Sequence, residues 1–241
     1  MTTAVFQARM RSTRLPGKVL RRLGTGTTLS WVVRAAEQSG GVDDVVIAAS
    51  TEPVDAAIAE AGSTLGRRVA FGPEDDVLDR FRIALDGCAD AETVIRLTAD
   101  CPLLDPSVIA MAVRAFNGSG LDYLSTTNPR SLPRGLDVEV TSAGALRRID
   151  ALARDHERTH VNPHLYLHPG LRKAAGIVFF PDASDLRVTP DTPEGAVLLD
   201  ALVGIVGDVP PDRSTLVKVL RDNLELVRLN EAVRQKALEE G

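Results

Sequence analysis

An α/β fold built on a mostly parallel, doubly wound sheet is predicted by three features of the 241-residue sequence. Short β-branched and apolar runs recur through positions 1–127. Each is followed by a segment whose apolar residues have helical spacing, and turn residues separate the two. Strand–helix alternation of this kind makes parallel strands with helices on both faces, because a parallel pair needs a crossover. Ligands of such sheets bind beyond the carboxyl ends of the strands.

Taken in order, the predicted strands are Ala4–Ala8, Val45–Ser50, Arg68–Phe71, Thr93–Thr98 and Asp122–Thr126. The predicted helices between them are Leu29–Gln38, Val54–Leu65, Asp76–Asp86 and Pro106–Phe116, with Pro106 suited to a first helical turn. After Asn128 the rhythm changes. A Pro- and Arg-rich loop, Asn128–Gly135, leads to a strand at Asp137–Val140 and a helix near Ala143–Arg154. A strand at Ala174–Phe179 and helices at Pro193–Ile205 and Ser214–Gln235 complete the set. The chain is therefore expected to divide into an α/β core (1–127), an insertion or subdomain (128–185), and a turn with C-terminal helices (186–241).

Composition narrows the function. A net charge of −5 argues against general nucleic-acid or membrane-surface binding, and 44% hydrophobic residues suit a packed globular chain. No apolar leader follows Met-Thr-Thr, and the longest apolar run, Ala196 to Gly207, is interrupted by Asp200. Cys88 and Cys101 make no disulfide framework, so a reducing, cytoplasmic setting is expected.

Against that acidic background, the segment from Arg9 to Arg22 carries six basic residues and no acid. It directly follows the first strand. Like charges so crowded repel one another unless a polyvalent anion sits among them. Ser12 and Thr13 add hydroxyl donors, Pro16-Gly17 supplies a turn, and Lys18 can reach a phosphate as a point charge. A triphosphate matches this inventory. A solvated basic patch is the bland alternative, and the loop is not a Walker A motif, since Ser12 and Val19 stand where Gly and Ser/Thr are required.

A triphosphate calls for Mg²⁺, which takes one or two carboxylates besides phosphate oxygens. Asp100 ends the fourth strand ahead of Pro102, on the same rim as the basic loop, and is the first candidate ligand. Asp105 fits the capping role before Pro106 better than Asp100 does. Asp191, in Val188-Thr-Pro-Asp-Thr-Pro-Glu194, is by itself either a turn residue or a second ligand; Thr192 can cap the helix begun by Pro193. Both aspartates are expected as exposed rim carboxylates whose loss leaves folding intact.

The four histidines fall at four-residue spacing: His156, His160, His164 and His168. Pro163 interrupts any continuous helix through them, so no zinc-binding face is expected. His160 is a candidate contact to an anionic acceptor, and His164 and His168 suit surface or packing roles.

With these residues assembled, the chain resembles a cytidylyltransferase of the CMP-sugar-acid synthetase superfamily, in particular its spore-coat-polysaccharide-type branch. The segments that carry the likeness are Gln7-Ala-Arg-Met-Arg-Ser-Thr-Arg-Leu-Pro-Gly-Lys18, Glu74-Asp-Asp-Val-Leu-Asp-Arg80, Arg96-Leu-Thr-Ala-Asp-Cys-Pro-Leu103, Gly135-Leu-Asp-Val-Glu-Val140, Glu157-Arg-Thr-His-Val161 and Asp191-Thr-Pro-Glu194. They run in family order over nearly the whole chain. Arg11 and Ala99 stand where the family commonly has Gly, and Pro190 replaces its usual aliphatic residue.

The resemblance implies a nucleotide-diphosphosugar-transferase-like fold, a homodimer, and use of CTP with Mg²⁺. It implies that Arg9, Ser12 and Lys18 hold the triphosphate, with Ala8, Gly72, Asp76, Arg80 and Thr98 completing the nucleotide site. Asp100 and Asp191 would hold Mg²⁺, Arg9, Lys18 and Asp100 would be the catalytic groups, and Arg134, Asp137, Glu139 and His160 would face the acceptor. That acceptor is expected to be a sugar acid or another small anion, such as a hydroxyalkylphosphonate. Arg130, Arg158, Arg172 and Lys173 are further cations available on its side. Use of a different triphosphate, or a catalytically silent nucleotide-binding protein of the same fold, are the alternatives.

Overall fold

The computed structural model describes residues 1–168 and 172–233. Its strands are β1 (Thr2–Gln7), β2 (Arg22–Leu23), β3 (Gly26–Thr27), β4 (Asp44–Ser50), β5 (Arg68–Gly72), β6 (Thr93–Thr98), β7 (Tyr123–Ser125), β8 (Glu139–Ser142) and β9 (Ala174–Gly176). Its α-helices are α1 (Thr28–Gln38), α2 (Ala56–Thr64), α3 (Val77–Ala84), α4 (Pro106–Asn117), α5 (Ala143–Asp150), α6 (His156–His160), α7 (Pro163–Tyr166), α8 (Pro193–Val206), α9 (Arg213–Asp222) and α10 (Leu224–Arg228).

Seven strands form one sheet in the order β5-β4-β1-β6-β8-β7-β9. The four strands from β5 to β6 are parallel, whereas β8 runs antiparallel to both β6 and β7. Alternation along the central strands sends side chains to two cores. Ala4 and Phe6 of β1, Val45 and Ile47 of β4, and Ile95 and Leu97 of β6 join one core with α1, α4 and α8. Val5, Val46, Ala48 and Val94 face the other way, onto Leu78 and Phe81 of α3 and Leu146 and Ile149 of α5. Helices on both faces make the doubly wound architecture.

Register places the site. Gln7 lies opposite Ala48 on one side and Thr98 on the other, so β1, β4 and β6 end along one rim. The Ala99 amide donates to Gln7 O (3.0 Å), which draws Asp100 beside the loop that follows β1. Asp105 caps α4 through the Ser107 amide (2.7 Å), as its position before Pro106 predicts.

The later elements depart from the predicted bounds. β8 begins at Glu139, because the Asp137 carboxylate is held in the preceding turn by Arg130 (2.6 and 2.9 Å) and by the Gly135 amide. β9 ends at Gly176. Phe179 leaves the sheet, donates its amide to the Ser131 hydroxyl (2.8 Å), and packs beneath the Arg213 guanidinium. The last predicted helix, Ser214–Gln235, is broken at Asn223, whose side-chain amide donates to Val219 O (2.8 Å); Gln235 lies outside the described residues.

Gly135 supports a close crossing. Its φ is +109°, and a Cβ there would lie 2.7 Å from Val188 O. Gly135→Ala is therefore expected to cost about 1–3 kcal/mol, from backbone strain and contact together. An unchanged urea midpoint for that variant would show that the crossing relaxes freely.

Candidate active site

The loop after β1 is closed by its own backbone. The Gly17 amide donates to Met10 O (2.8 Å), and Gly17 takes the left-handed φ of +73° that a residue with a Cβ adopts at a cost. Asp55, buried at the carboxyl end of β4, accepts from the Met10 amide (2.7 Å) and from the Ser50 amide (3.0 Å). Asp55 thereby fastens the loop to the neighbouring strand. Only its place just past the carboxyl end of β4 marks Asp55 in the sequence, and no motif singles it out.

The loop walls a cavity of about 170 Å³, with Gln7, Arg9, Ser12, Lys18, Thr98 and Asp100 among its lining. At its edge the Lys18 ammonium is hydrogen-bonded to Asp100 and, at 2.7 Å, to Asp191. Carboxylates 91 positions apart in the chain thus meet at one cation. Burial works against the Lys18 charge, but the two carboxylates outweigh it and hold the ammonium charged far above the ordinary lysine range.

Asp191 is not an exposed rim residue. It is 9% exposed and also contacts Arg187 (2.9 Å), Arg14 (3.1 Å) and the Thr189 hydroxyl (3.1 Å). Burial tends to raise its pKa, yet Lys18, Arg14 and Arg187 keep it below the usual carboxylate range. Thr192 caps α8 through the Gly195 amide (3.2 Å), which leaves Asp191 free of that duty.

The acid-free stretch of sequence is not acid-free in space. Arg11 pairs with Glu52 and Glu74 (2.9 Å each), Arg14 with Asp191, and Arg21 with Asp200. Repulsion within the loop is therefore partly relieved without an anion. Among the described residues no carboxylate pairs with Arg9, which is exposed at the cavity.

Other predicted nucleotide residues lie beneath or beside this cavity. Arg80 is fully buried, and its guanidinium donates to Ala8 O (3.5 Å) and Glu74 O (3.4 Å). Burial, with Arg9 nearby, pushes its pKa down to about 10. A Cβ on Gly72 would lie 2.9 Å from Arg80 Cγ, so that glycine leaves room for the buried side chain. Asp76 caps α3 through the Asp79 amide (2.9 Å) and accepts from Arg158 (2.6 Å).

On the acceptor side the predicted residues separate. Asp137 is held by Arg130, and Arg158 by Asp76 and Asp150, which accounts for two of the cations proposed to meet an anion. Glu139 is buried, and both its oxygens are engaged inside the sheet, one by Arg96 and one by the Tyr123 hydroxyl (2.6 Å). Arg134 is half-buried with no carboxylate in salt-bridge range among the described residues. Burial, with Arg130 and Arg187 nearby, lowers its pKa. His160 closes α6, which packs on α3.

A family model for cytidylyltransferases matches residues 3–202. The chain belongs to the cytidylyltransferase family. It is 34% identical to the spore coat polysaccharide biosynthesis protein SpsF of Bacillus subtilis, over 95% of this chain and 97% of that one. It is 32% identical to the 3-deoxy-manno-octulosonate cytidylyltransferase of Mesorhizobium japonicum over half of each chain. A solved cytidylyltransferase structure from Leptospira borgpetersenii superposes with a TM-score of 0.89 at 26% identity, covering 97% of this chain and 99% of that one. Membership makes the chain a nucleotidyltransferase, an enzyme rather than a silent binder. No helix among its described residues is long and apolar enough to cross a membrane.

Proposed function

We propose that this cytidylyltransferase transfers CMP from CTP to a small anionic acceptor and releases pyrophosphate, with Mg²⁺ held by Asp100 and Asp191. The observation that carries the proposal is the Lys18 ammonium seated between those two carboxylates at the edge of a cationic cavity. A cation already fits there, and hard carboxylate oxygens are the donors that Mg²⁺ prefers. When bound, the metal supplies neutralisation of the charge on the triphosphate.

The chain's own groups do the rest. Arg9, Ser12 and Lys18 hold the phosphates, with Thr98 beside them in the cavity lining. An acceptor oxygen attacks the α-phosphorus in line; its bond to phosphorus forms as the bond to the β-phosphoryl oxygen breaks, and pyrophosphate leaves. No protein nucleophile takes part. Placement and charge stabilisation by Arg9 and Lys18 lower the barrier. Arg134, whose half-buried charge lacks a carboxylate partner among the described residues, receives the acceptor's anionic group beside Asp137. Residues 128–185 form the acceptor wall and the contact between subunits.

Pyrophosphate release measured for CTP, UTP, ATP and GTP against sugar acids and hydroxyalkylphosphonates tests the whole proposal. Release with no pairing would overturn it. A thermal-shift titration isolates the nucleotide half, because a ligand that binds only the native state raises the melting temperature. CTP with Mg²⁺ is expected to give the largest shift of the four. Equal shifts would remove the base assignment and leave the phosphate site standing.

A further inference from the structure

Pro163 does not disperse the histidines. It is the first residue of α7, where its ring is tolerated, and the chain reverses just before it. Val161 makes that reversal with φ of +73°, a costly conformation for a β-branched residue, and the side-chain amide of Asn162 is buried with neither polar atom partnered. The reversal lays His164 and His168 against Glu157 of α6. His164 Nδ1 lies 3.0 Å from one carboxylate oxygen, and His168 Nε2 lies 2.9 Å from the other. The two imidazole centroids are 4.3 Å apart.

We propose that Glu157, His164 and His168 form a binding site for one divalent transition ion of the zinc class, which clamps α7 to α6. All three donor atoms lie within 4.8 Å of one another. Two imidazoles and a carboxylate are a donor set that zinc accepts, with the fourth position left to solvent. Tetrahedral bonds of about 2.0–2.1 Å put ligand atoms about 3.3 Å apart, so the widest separation must close by about 1.5 Å, which rotamer adjustment of the partly exposed His168 can supply. Glu157 and His164 are buried, while His168 is partly exposed and opens the site to solvent. The Arg154 amide also donates to Glu157 (3.3 Å), which fixes the carboxylate beside the two rings. None of the three residues lines the nucleotide cavity, and imidazole donors select against Mg²⁺.

The test uses the full chain without an affinity tag, stripped with EDTA and titrated with CoCl₂. One equivalent should give the intense visible band of four-coordinate cobalt, displaced by Zn²⁺ and not by excess Mg²⁺. His168→Gln, at the partly exposed ligand, should fold normally by circular dichroism and lose the band. Its zinc affinity should fall by more than the roughly tenfold to hundredfold that loss of an outer-shell partner costs. Asp100→Asn, at the more exposed aspartate, should fold normally and keep the band. Absence of the band from the parent chain, its survival in His168→Gln, or its loss from a folded Asp100→Asn variant would each overturn the proposal. No readout depends on turnover, so the outcome is independent of the proposed reaction.

Discussion

Asp100→Asn and Asp191→Asn are each expected to lower pyrophosphate release by about a hundredfold or more, several kcal/mol of transition-state stabilisation. The double variant should be little worse than either single, because groups that act as one unit are strongly non-additive. The two should nevertheless differ in stability. Asp191 is surrounded by Lys18, Arg14 and Arg187, and its loss leaves a buried cluster of cations facing one another. Removing one partner of a buried charge group typically costs about 3–5 kcal/mol, whereas Asp100 is more exposed and meets only Lys18 among these cations. Thermal melts should therefore place Asp191→Asn well below Asp100→Asn. Because the folded-state pKa of Asp191 is depressed, its stabilisation is complete above the ordinary aspartate range and fades as pH falls through the lowered value. Asp191→Asn should lose that acid limb. Near-normal turnover by Asp191→Asn would remove it from the metal site.

Lys18→Gln should give the second large effect. Losing one preorganised donor to developing phosphate charge is expected to lower turnover by about a hundredfold to a thousandfold. Without metal, Asp100 and Asp191 would then meet across a shared site with no ammonium between them, and the melting temperature should fall. Added Mg²⁺ should restore more stability to the variant than to the parent chain, since the divalent ion no longer competes with Lys18 for the same oxygens. The folded-state pKa of Lys18 is raised, so its contribution is present throughout the neutral range and is lost only as pH climbs through that raised value. Equal melting temperatures without metal, together with equal Mg²⁺ shifts, would show that the ammonium and the ion occupy separate places.

The centre of the parallel half of the sheet was legible in the sequence because its strands are largely buried on both faces. β1 and β4 carry continuous apolar runs, β6 an apolar run broken only by Arg96, and the structure places each within two residues of its predicted ends. The antiparallel half was less so. β7, β8 and β9 have three or four residues each, too few for a period to declare itself, and nothing local reveals that β8 inserts between β6 and β7. Charge partners were hidden for the same reason. The basic loop was plain, but Glu52, Glu74 and Asp191, which neutralise parts of it, are distant in the chain. The histidine spacing was visible too, but judging it by one unbroken helix overlooked a reversal at Val161 that brings side chains together across the break.

The meeting of Asp100 and Asp191 at Lys18 sets an order of events during synthesis. At roughly 5–20 residues per second, the ribosome adds Asp191 about 5–20 s after Asp100. Through that interval the emerging chain already holds the cationic loop and one aspartate, but neither the second aspartate nor the α8 leucines, Leu198, Leu199 and Leu202, that fill the core beneath. If those two aspartates hold the metal as proposed, the partial chain has no complete seat for a metal–nucleotide pair, and gains none of the stabilisation that such a ligand would give the finished molecule. On that proposal nucleotide would bind only once the last third of the chain has docked, and the ligand would favour completed molecules over every shorter intermediate.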